Sequence, residues 1–325
     1  MELVSNSMLF SNGDTHRRRR QPLSRSFAFR MMEGLRPSVR SLADELVATR
    51  LGDGEVRLRD DYAAAIPAIT IASILGIPRS DVPLFTSMAY RVSKVLTTSW
   101  TQADLPDIEA ATSELSAYVA ELIDDRRRQP QGDFLSDYVA SIDQASELSA
   151  VEAVMQIVSV VLGGTDTTRA AIVIMVGLLL DRQDGLWQAL RDRPALVPAA
   201  VLESLRYEPA VASIPRLAVE DICLDGYVIP KGRPVILSTM SALRDPQVFV
   251  DPDQFNLLRP VGKWHPVFGG GEHRCLGEAL ARIEMEEALA ALCTFLPRLH
   301  LQDQSLRIHG HAGIRQVEEL VVRWR

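Results

Sequence analysis

The stretch FGGGEHRCLG, Phe268 to Gly277, decides how the rest of the chain is read. Three consecutive glycines, a histidine and a cysteine stand before a segment of helical periodicity. In that segment Leu280, Ile283 and Leu292 share one face, while Glu278, Glu284, Glu286 and Glu287 lie elsewhere. Such a run of glycines is costly unless the backbone must approach something closely. A cysteine at a helix N-terminus has its thiolate favoured by the macrodipole and by nearby backbone N–H groups. Cys275 is therefore a candidate ligand. For an isolated cysteine, a small buried hydrophobe beside a glycine turn is the commoner outcome, and Cys223 and Cys293 are read that way.

Upstream, the longest apolar stripe runs through Val154, Ile157, Val158, Val161 and Leu162 and resumes at Ile172, Val173, Val176, Leu179 and Leu180. It predicts a helix from about Val151 to Leu180, roughly 45 Å long. GGTDTT, Gly163 to Thr168, interrupts it with residues that oppose helix propensity, and local opening is expected there. A buried acid beside a hydroxyl can relay protons to a bound ligand, and an N-cap at a break between two helices is the alternative. An earlier helix carries Ile108, Ala111, Leu115, Val119 and Leu122 and closes on Arg126 to Arg128. In ESLR, Glu203 and Arg206 stand three apart on a helix and can pair, and Arg259 can join them. After Pro209, IPRLAVEDICLDGYVIPKGRPVILSTM reads as small strands and tight turns, as does the tail from Leu299 to Arg325. The fold class is mainly α with small β-sheets.

Composition narrows the function. The 325 residues are 47% hydrophobic and 24% charged, which suits a globular chain with a large core. A net charge of −7, from 35 Lys and Arg against 42 Asp and Glu, gives no reason to expect nucleic acid or an anionic membrane as partner. The exception is local, Arg17 to Arg20. Three scattered cysteines form no disulfide framework and fit a reducing cytoplasm. The apolar run Val154 to Leu180 is interrupted by Thr165 to Arg169, so no membrane anchor is expected, and the N-terminal residues lack the order of a secretory signal.

Taken together and in this order, the motifs resemble those of the cytochrome P450 family. FGGGEHRCLG fits the haem-binding pattern FxxGx[HR]xCxG, GGTDTT fits the oxygen-groove pattern [AG]Gx[DE]T[TS], ESLR fits ExxR, and Arg259 falls where the family completes a Glu-Arg-Arg cluster. DTHRRRRQPL, from Asp14 to Leu23, is similar to a family helix that begins with an acid-His pair. The resemblance implies one P450 domain over residues 1–325, and an incomplete one, because family members carry several tens more residues before this helix, whereas Met1 lies fifteen residues before His16.

The resemblance also implies haem b, iron protoporphyrin IX, with Cys275 as axial ligand of the iron. His16, Arg20, Arg216 and His273 would hold the propionates. Gly163, Gly164, Phe268, Gly271 and Gly277 would shape the crevice. Asp166 and Thr167 would deliver protons for the use of dioxygen, and Glu203, Arg206 and Arg259 would be structural. The implied activity is insertion of one oxygen atom into a largely hydrophobic small molecule, with electrons from NAD(P)H through ferredoxin reductase and ferredoxin. Arg17 to Arg19, otherwise a solvated basic face, would lie on the side where an acidic electron carrier docks. Val158, Val211 to Ile214 and Gly310 to Ala312 occupy segments that line the family's substrate pocket. The competing readings are a peroxygenase, which the Asp166–Thr167 pair disfavours, and a haem-binding but catalytically idle or truncated P450-like protein.

Overall fold

The long apolar stripe forms one continuous helix, Ala150–Asp181. Its start is set by a capping box: Ser149 Oγ accepts from the Glu152 amide at 3.2 Å, and Glu152 Oε2 accepts from the Ser149 amide at 2.9 Å. The expected opening at Gly163–Thr168 is absent. The hydroxyls that compete with the helix are satisfied inside it: Thr165 Oγ1 donates to Val161 O at 2.9 Å and Thr167 Oγ1 to Gly163 O at 2.7 Å.

The structure, a computed structural model, describes residues 2–27, 32–97, 100–182, 184–260, 265–302 and 305–325. Met1 and residues 303–304 of the tail lie outside the described residues. The helices are α1 (Glu2–Asn6), α2 (Gly13–Ser26), α3 (Arg36–Ala48), α4 (Ala65–Ile74), α5 (Val82–Ser93), α6 (Leu105–Arg128), α7 (Phe134–Ala145), α8 (Ala150–Asp181), α9 (Leu186–Asp192), α10 (Val197–Tyr207), α11 (Thr239–Ala242) and α12 (Glu278–Phe295). Short strands fill the gaps: β1 (Glu55–Arg57), β2 (Ser213–Leu217), β3 (Ile222–Leu224), β4 (Tyr227–Ile229), β5 (Pro234–Ser238), β6 (His300–Leu301), β7 (Ile308–His309), β8 (Gln316–Val317) and β9 (Val321–Arg323). Their sheets are β1-β9-β6, β2-β5, β3-β4 and β7-β8, and every pairing is antiparallel.

The central helix is buried almost all round because α4, α5, α6, α10 and α12 pack on it. It is long and apolar enough to cross a membrane, yet most of its surface is covered by the rest of the protein. Each fully buried Val, Leu or Ile contributes about 1.5–3 kcal/mol, so the helix draws its stability from packing. The stripe of α6 is buried as expected, at Ile108, Ala111, Leu115, Val119 and Leu122. On α12 the expectation needs correcting, since Glu284 and Glu286 are buried beside Leu280, Ile283 and Leu292. This helix is sandwiched between α3, α8 and α10, so it has no fully solvated face for its acids.

The outer strands differ. Leu217, Ile222, Leu224, Tyr227, Val228, Ile236 and Leu237 are all exposed on β2 to β5, an open apolar surface on these two strand pairs.

Candidate active site

Gly269 and Gly271 have φ of 70° and 66°, a left-handed backbone that glycine adopts without strain. They bend the loop so that the Cys275 amide donates back to Phe268 O at 2.8 Å. Gly277 is the N-cap residue of α12, which places Cys275 just ahead of that helix. The loop is tied to α10 from its other end, where His265 Nε2 donates to Leu202 O at 3.3 Å. Burial lowers the His265 pKa to about 4, so this ring is neutral and can act as a fixed spacer.

The surroundings of Cys275 correct one expectation. Burial pushes the thiol up, against a backbone hydrogen bond with Gly277 and the charges of Arg20 and Arg274. Helix-terminal stabilisation is outweighed. The residue is nevertheless exposed. Protein crowds the thiol while its surface stays open, which describes a side chain facing an internal crevice. Gly163 is also exposed, although it sits mid-helix beside buried Leu162 and Thr165, and space is open where its Cβ would stand. Gly164 faces the core instead, where a Cβ would lie 2.8 Å from Ile71.

Beside Cys275, cations gather with few acids among them. His16 is 1% exposed, and neither Nδ1 nor Nε2 has a hydrogen-bond partner. Its ring lies 4.0 Å from that of His273, and burial followed by the His273 and Arg20 charges lowers its pKa. Burial, Arg216 and Arg20 do the same to His273, whose Nε2 meets Asn12 Oδ1 at 3.2 Å. Arg20 donates to Arg274 O, and its charge is felt at Cys275. Arg216 bonds only to the carbonyl of neighbouring Pro215 among the described residues. Glu272 is the nearby acid, and Arg17 engages it at 3.0 Å. A ligand with carboxylates would accept from the orphaned His16 N–H and neutralise the arginines of the cluster, so the residues fit haem propionates, and the open thiol fits a ligand of the iron.

Arg17 to Arg19 are not one solvated face. Arg17 is exposed, but Arg18 and Arg19 turn inward to Glu152, at 2.6 Å and 2.9 Å. With the Ser149 amide they hold the Glu152 pKa down at about 2.

On α8, Asp166 is buried and pairs with Arg169 one turn away. Burial raises its pKa, and Arg169 and Arg59 oppose that. On α12, burial pushes the Glu284 pKa up to about 8. Neither Glu284 Oε1 nor Thr70 Oγ1 finds a partner within hydrogen-bonding distance. Sequence reading missed Arg169, which the i,i+3 spacing from Asp166 could have flagged. It also missed Glu284, for which no local signal exists.

Arg206, 2% exposed, donates from Nε and Nη2 to Glu203 at 2.8 Å each. It further donates to Leu243 O at 3.1 Å, Pro252 O at 2.7 Å and Gln254 O at 2.9 Å. Arg259 Nε reaches Glu203 Oε2 at 3.1 Å. These three residues are brought together, and Ile314 forms β-bridges to both Val211 and Thr97. Val158 is fully buried in the core. A groove of about 330 Å³ borders the cysteine loop, lined by Arg274 and Leu276 of the loop and by Phe27, Arg36, Glu278 and Arg282 among others.

The Cytochrome P450 family model matches residues 181–307. The plant-inducible cytochrome P450-pinF1 of Rhizobium radiobacter is 44% identical over 99% of this chain and 76% of its own length. The mycinamicin IV hydroxylase/epoxidase of Micromonospora griseorubida is 35% identical over 99% of this chain and 81% of its own. Among solved structures, P450BioI in complex with a hexadecenoic acid-ligated acyl carrier protein superposes with a TM-score of 0.92 at 31% identity. That match covers 100% of this chain and 84% of the other. Sequence and fold together make this chain a member of the cytochrome P450 family of haem-dependent, dioxygen-using monooxygenases.

Proposed function

We propose that this enzyme inserts one atom of dioxygen into a largely hydrophobic small molecule in the cytoplasm, taking electrons from NAD(P)H through ferredoxin reductase and ferredoxin. The observation that carries the reading is the pairing of an open thiol, Cys275, with a neighbouring cation cluster whose buried His16 has no partner of its own. In this reading residues 1–325 act as one P450 domain. Haem held there supplies dioxygen binding and O–O cleavage, which a thiolate ligand favours.

Cys275 would be the axial ligand, and His16, Arg20, Arg216 and His273 would hold the propionates. Phe268, Gly271 and Gly277 would set the loop around the ligand, Gly163 would let α8 come close to the bound group, and Gly164 would serve it by seating α8 against Ile71. Glu203, Arg206 and Arg259 would anchor the segment that leads to the cysteine loop. Asp166 takes up protons at its carboxyl and Thr167 passes them on from its hydroxyl, while the apolar wall of α8 excludes bulk water. The apolar character of Val211, Ala212 and Ile214 supports a hydrophobic substrate.

Reduced protein under carbon monoxide should give the red-shifted Soret band of a thiolate ligand, and a Cys275→His variant should lose it. A band unmoved by that change would refute the ligand assignment. With surrogate ferredoxin and a panel of apolar substrates that includes myristic acid, Thr167→Ala should release more hydrogen peroxide per NADH and form less product. Unchanged coupling would refute the proton-delivery roles.

A further inference from the structure

The helix that carries His16 and Arg20 has little apolar surface to pack. Within α2, GDTHRRRRQPLSRS, Leu23 is the one large aliphatic side chain, so burial contributes little to fixing how the helix is turned about its axis. Charge does so instead. Successive residues of a helix point about 100° apart, so Arg17 to Arg20 cannot all face one partner. His16 and Arg20, four apart, share the face toward the cysteine loop, where His16 meets the His273 ring and Arg20 donates to Arg274 O. Arg18 and Arg19 converge on Glu152 at the start of α8.

Glu152 is bound more fully than one ion pair requires. Its Oε1 accepts from Arg18 Nη2 at 2.6 Å and from Arg19 Nε and Nη2 at 3.0 Å and 2.9 Å. Its Oε2 accepts from Arg18 Nη1 at 3.0 Å and from the Ser149 amide at 2.9 Å. The Glu152 and Arg19 side chains are buried, at 12% and 8% exposure. By contrast, the ion pair of Arg17 with Glu272 leaves both side chains more than half exposed, where such pairs are worth little. Arg19 also donates to Ser7 O at 3.2 Å and Ser5 O at 3.0 Å. One turn further along α8, Gln156 accepts from the Met8 amide at 2.6 Å and donates to Asn6 O at 2.7 Å. The first turns of α8 thus hold both α2 and the segment that leads into it.

We propose that Glu152 is a positioning residue for the haem propionates: by holding Arg18 and Arg19 it sets the rotation of α2 that aims His16 and Arg20 at the carboxylates. Arg18 and Arg19 lie between His16 and Arg20 in one helical turn, so a rotation that leaves Glu152 carries the propionate-holding pair with it. Site groups tolerate only about 10–20° of misorientation. Glu152 also keeps two of the four arginines out of competition for the propionates. The inference rests on the propionate-holding roles proposed for His16 and Arg20.

The test measures haem transfer from the ferric holoprotein to apomyoglobin at pH 7, with urea unfolding of the haem-free protein alongside. Removing the outer partner of a binding group commonly weakens binding about 10–100-fold, so Glu152→Gln should speed haem transfer by about tenfold. Arg19→Gln leaves Arg18 on Glu152 and should speed transfer by about threefold, which keeps the proposal testable if Glu152→Gln does not fold. Tyr118→Phe, which removes a hydrogen bond from α6 to Asp81, should lower stability with the transfer rate unmoved. The decisive readout is coupling. In a protein already carrying His16→Leu and Arg20→Gln, Glu152→Gln should change the rate by less than about twofold, because α2 then has nothing left to aim. A loss of stability without a positioning role would act by the same factor in both backgrounds, and that result overturns the proposal. If His16→Leu with Arg20→Gln leaves haem transfer unchanged, the propionate assignment fails and the role of Glu152 fails with it. If that pair speeds transfer while Glu152→Gln and Arg19→Gln do not, only the positioning role is wrong.

Discussion

Replacing Arg206 by Met should cost most of the stability of the protein, and the size can be worked from its contacts. The guanidinium makes two bonds to Glu203 and three to the carbonyls of Leu243, Pro252 and Gln254. Glu203, 4% exposed, would keep Arg259 and the Asn256 amide at 2.8 Å but lose its main counter-charge. Removing one partner of a buried ion pair costs about 3–5 kcal/mol. Gln254 O keeps a bond from Arg259 Nη2 at 3.0 Å. That leaves the carbonyls of Leu243 and Pro252, at about 1–3 kcal/mol each where water cannot reach. The total, about 5–11 kcal/mol, compares with the whole stability of about 5–15 kcal/mol of a typical domain. Arg206→Lys keeps the charge without the fork and should cost about 2–3 kcal/mol. Arg259→Ala, at a more exposed position, should cost about 1–2 kcal/mol. The assay is urea unfolding of the haem-free and haem-loaded protein, with haem content measured alongside. Glu203→Leu combined with Arg206→Met should be more stable than Arg206→Met alone, because no buried carboxylate is then stranded. An Arg206→Met protein within about 1 kcal/mol of the parent would refute the reasoning.

His16→Leu removes two orphaned buried nitrogens. It should stabilise the haem-free chain by about 1 kcal/mol in urea unfolding while haem transfers to apomyoglobin several-fold faster. Glu152, with its pKa held near 2, stabilises the fold fully above the ordinary carboxylate pKa and loses that contribution as pH falls toward 2. Glu152→Gln should therefore cost about 1–3 kcal/mol at pH 7 and converge on the parent only below about pH 2, read from unfolding midpoints across that range. Gly163→Ala should leave the fold unchanged or stabilise it by about 0.5–1 kcal/mol, yet weaken haem or substrate binding, because its methyl enters open space on α8. Gly164→Ala should show the reverse balance in the same unfolding and binding measurements, since its methyl meets Ile71.

How much of this was legible depended on the range of the interaction involved. The stripe on α6 and the long helix α8 were readable because apolar spacing repeats every turn and the packing that follows obeys it. The glycine loop and the Glu203–Arg206 pair were readable because each is closed by contacts within a few residues. GGTDTT misled in one respect: its propensities argued for a break, but a helix packed on several others does not open for a few tenths of a kcal/mol per residue. Arg18 and Arg19 were misread as solvated because their partner, Glu152, lies 134 and 133 positions away, and no local pattern announces it. Glu284 and Glu286 look like solvent-facing acids by residue type alone, and only the three helices around α12 reveal otherwise.

Cys275 shows where local reasoning stops. A cysteine ahead of a helix should have a lowered pKa if the macrodipole and free amides decide the matter, each worth at most about 1–2 kcal/mol. The structure assembles those favourable parts, including a backbone hydrogen bond with Gly277 and the charge of Arg20, and burial still prevails. With iron at the proposed site, the metal would draw out the thiolate, and the helix terminus would contribute only a minor share. The same competition operates at Asp166, where burial raises the carboxyl and two arginines oppose it. Neither sign can be read from the motif, because the motif records which groups are close in sequence while desolvation depends on everything packed around them. The motif thus locates the chemistry, and the packing of α8 and α12 determines the protonation state in which that chemistry starts.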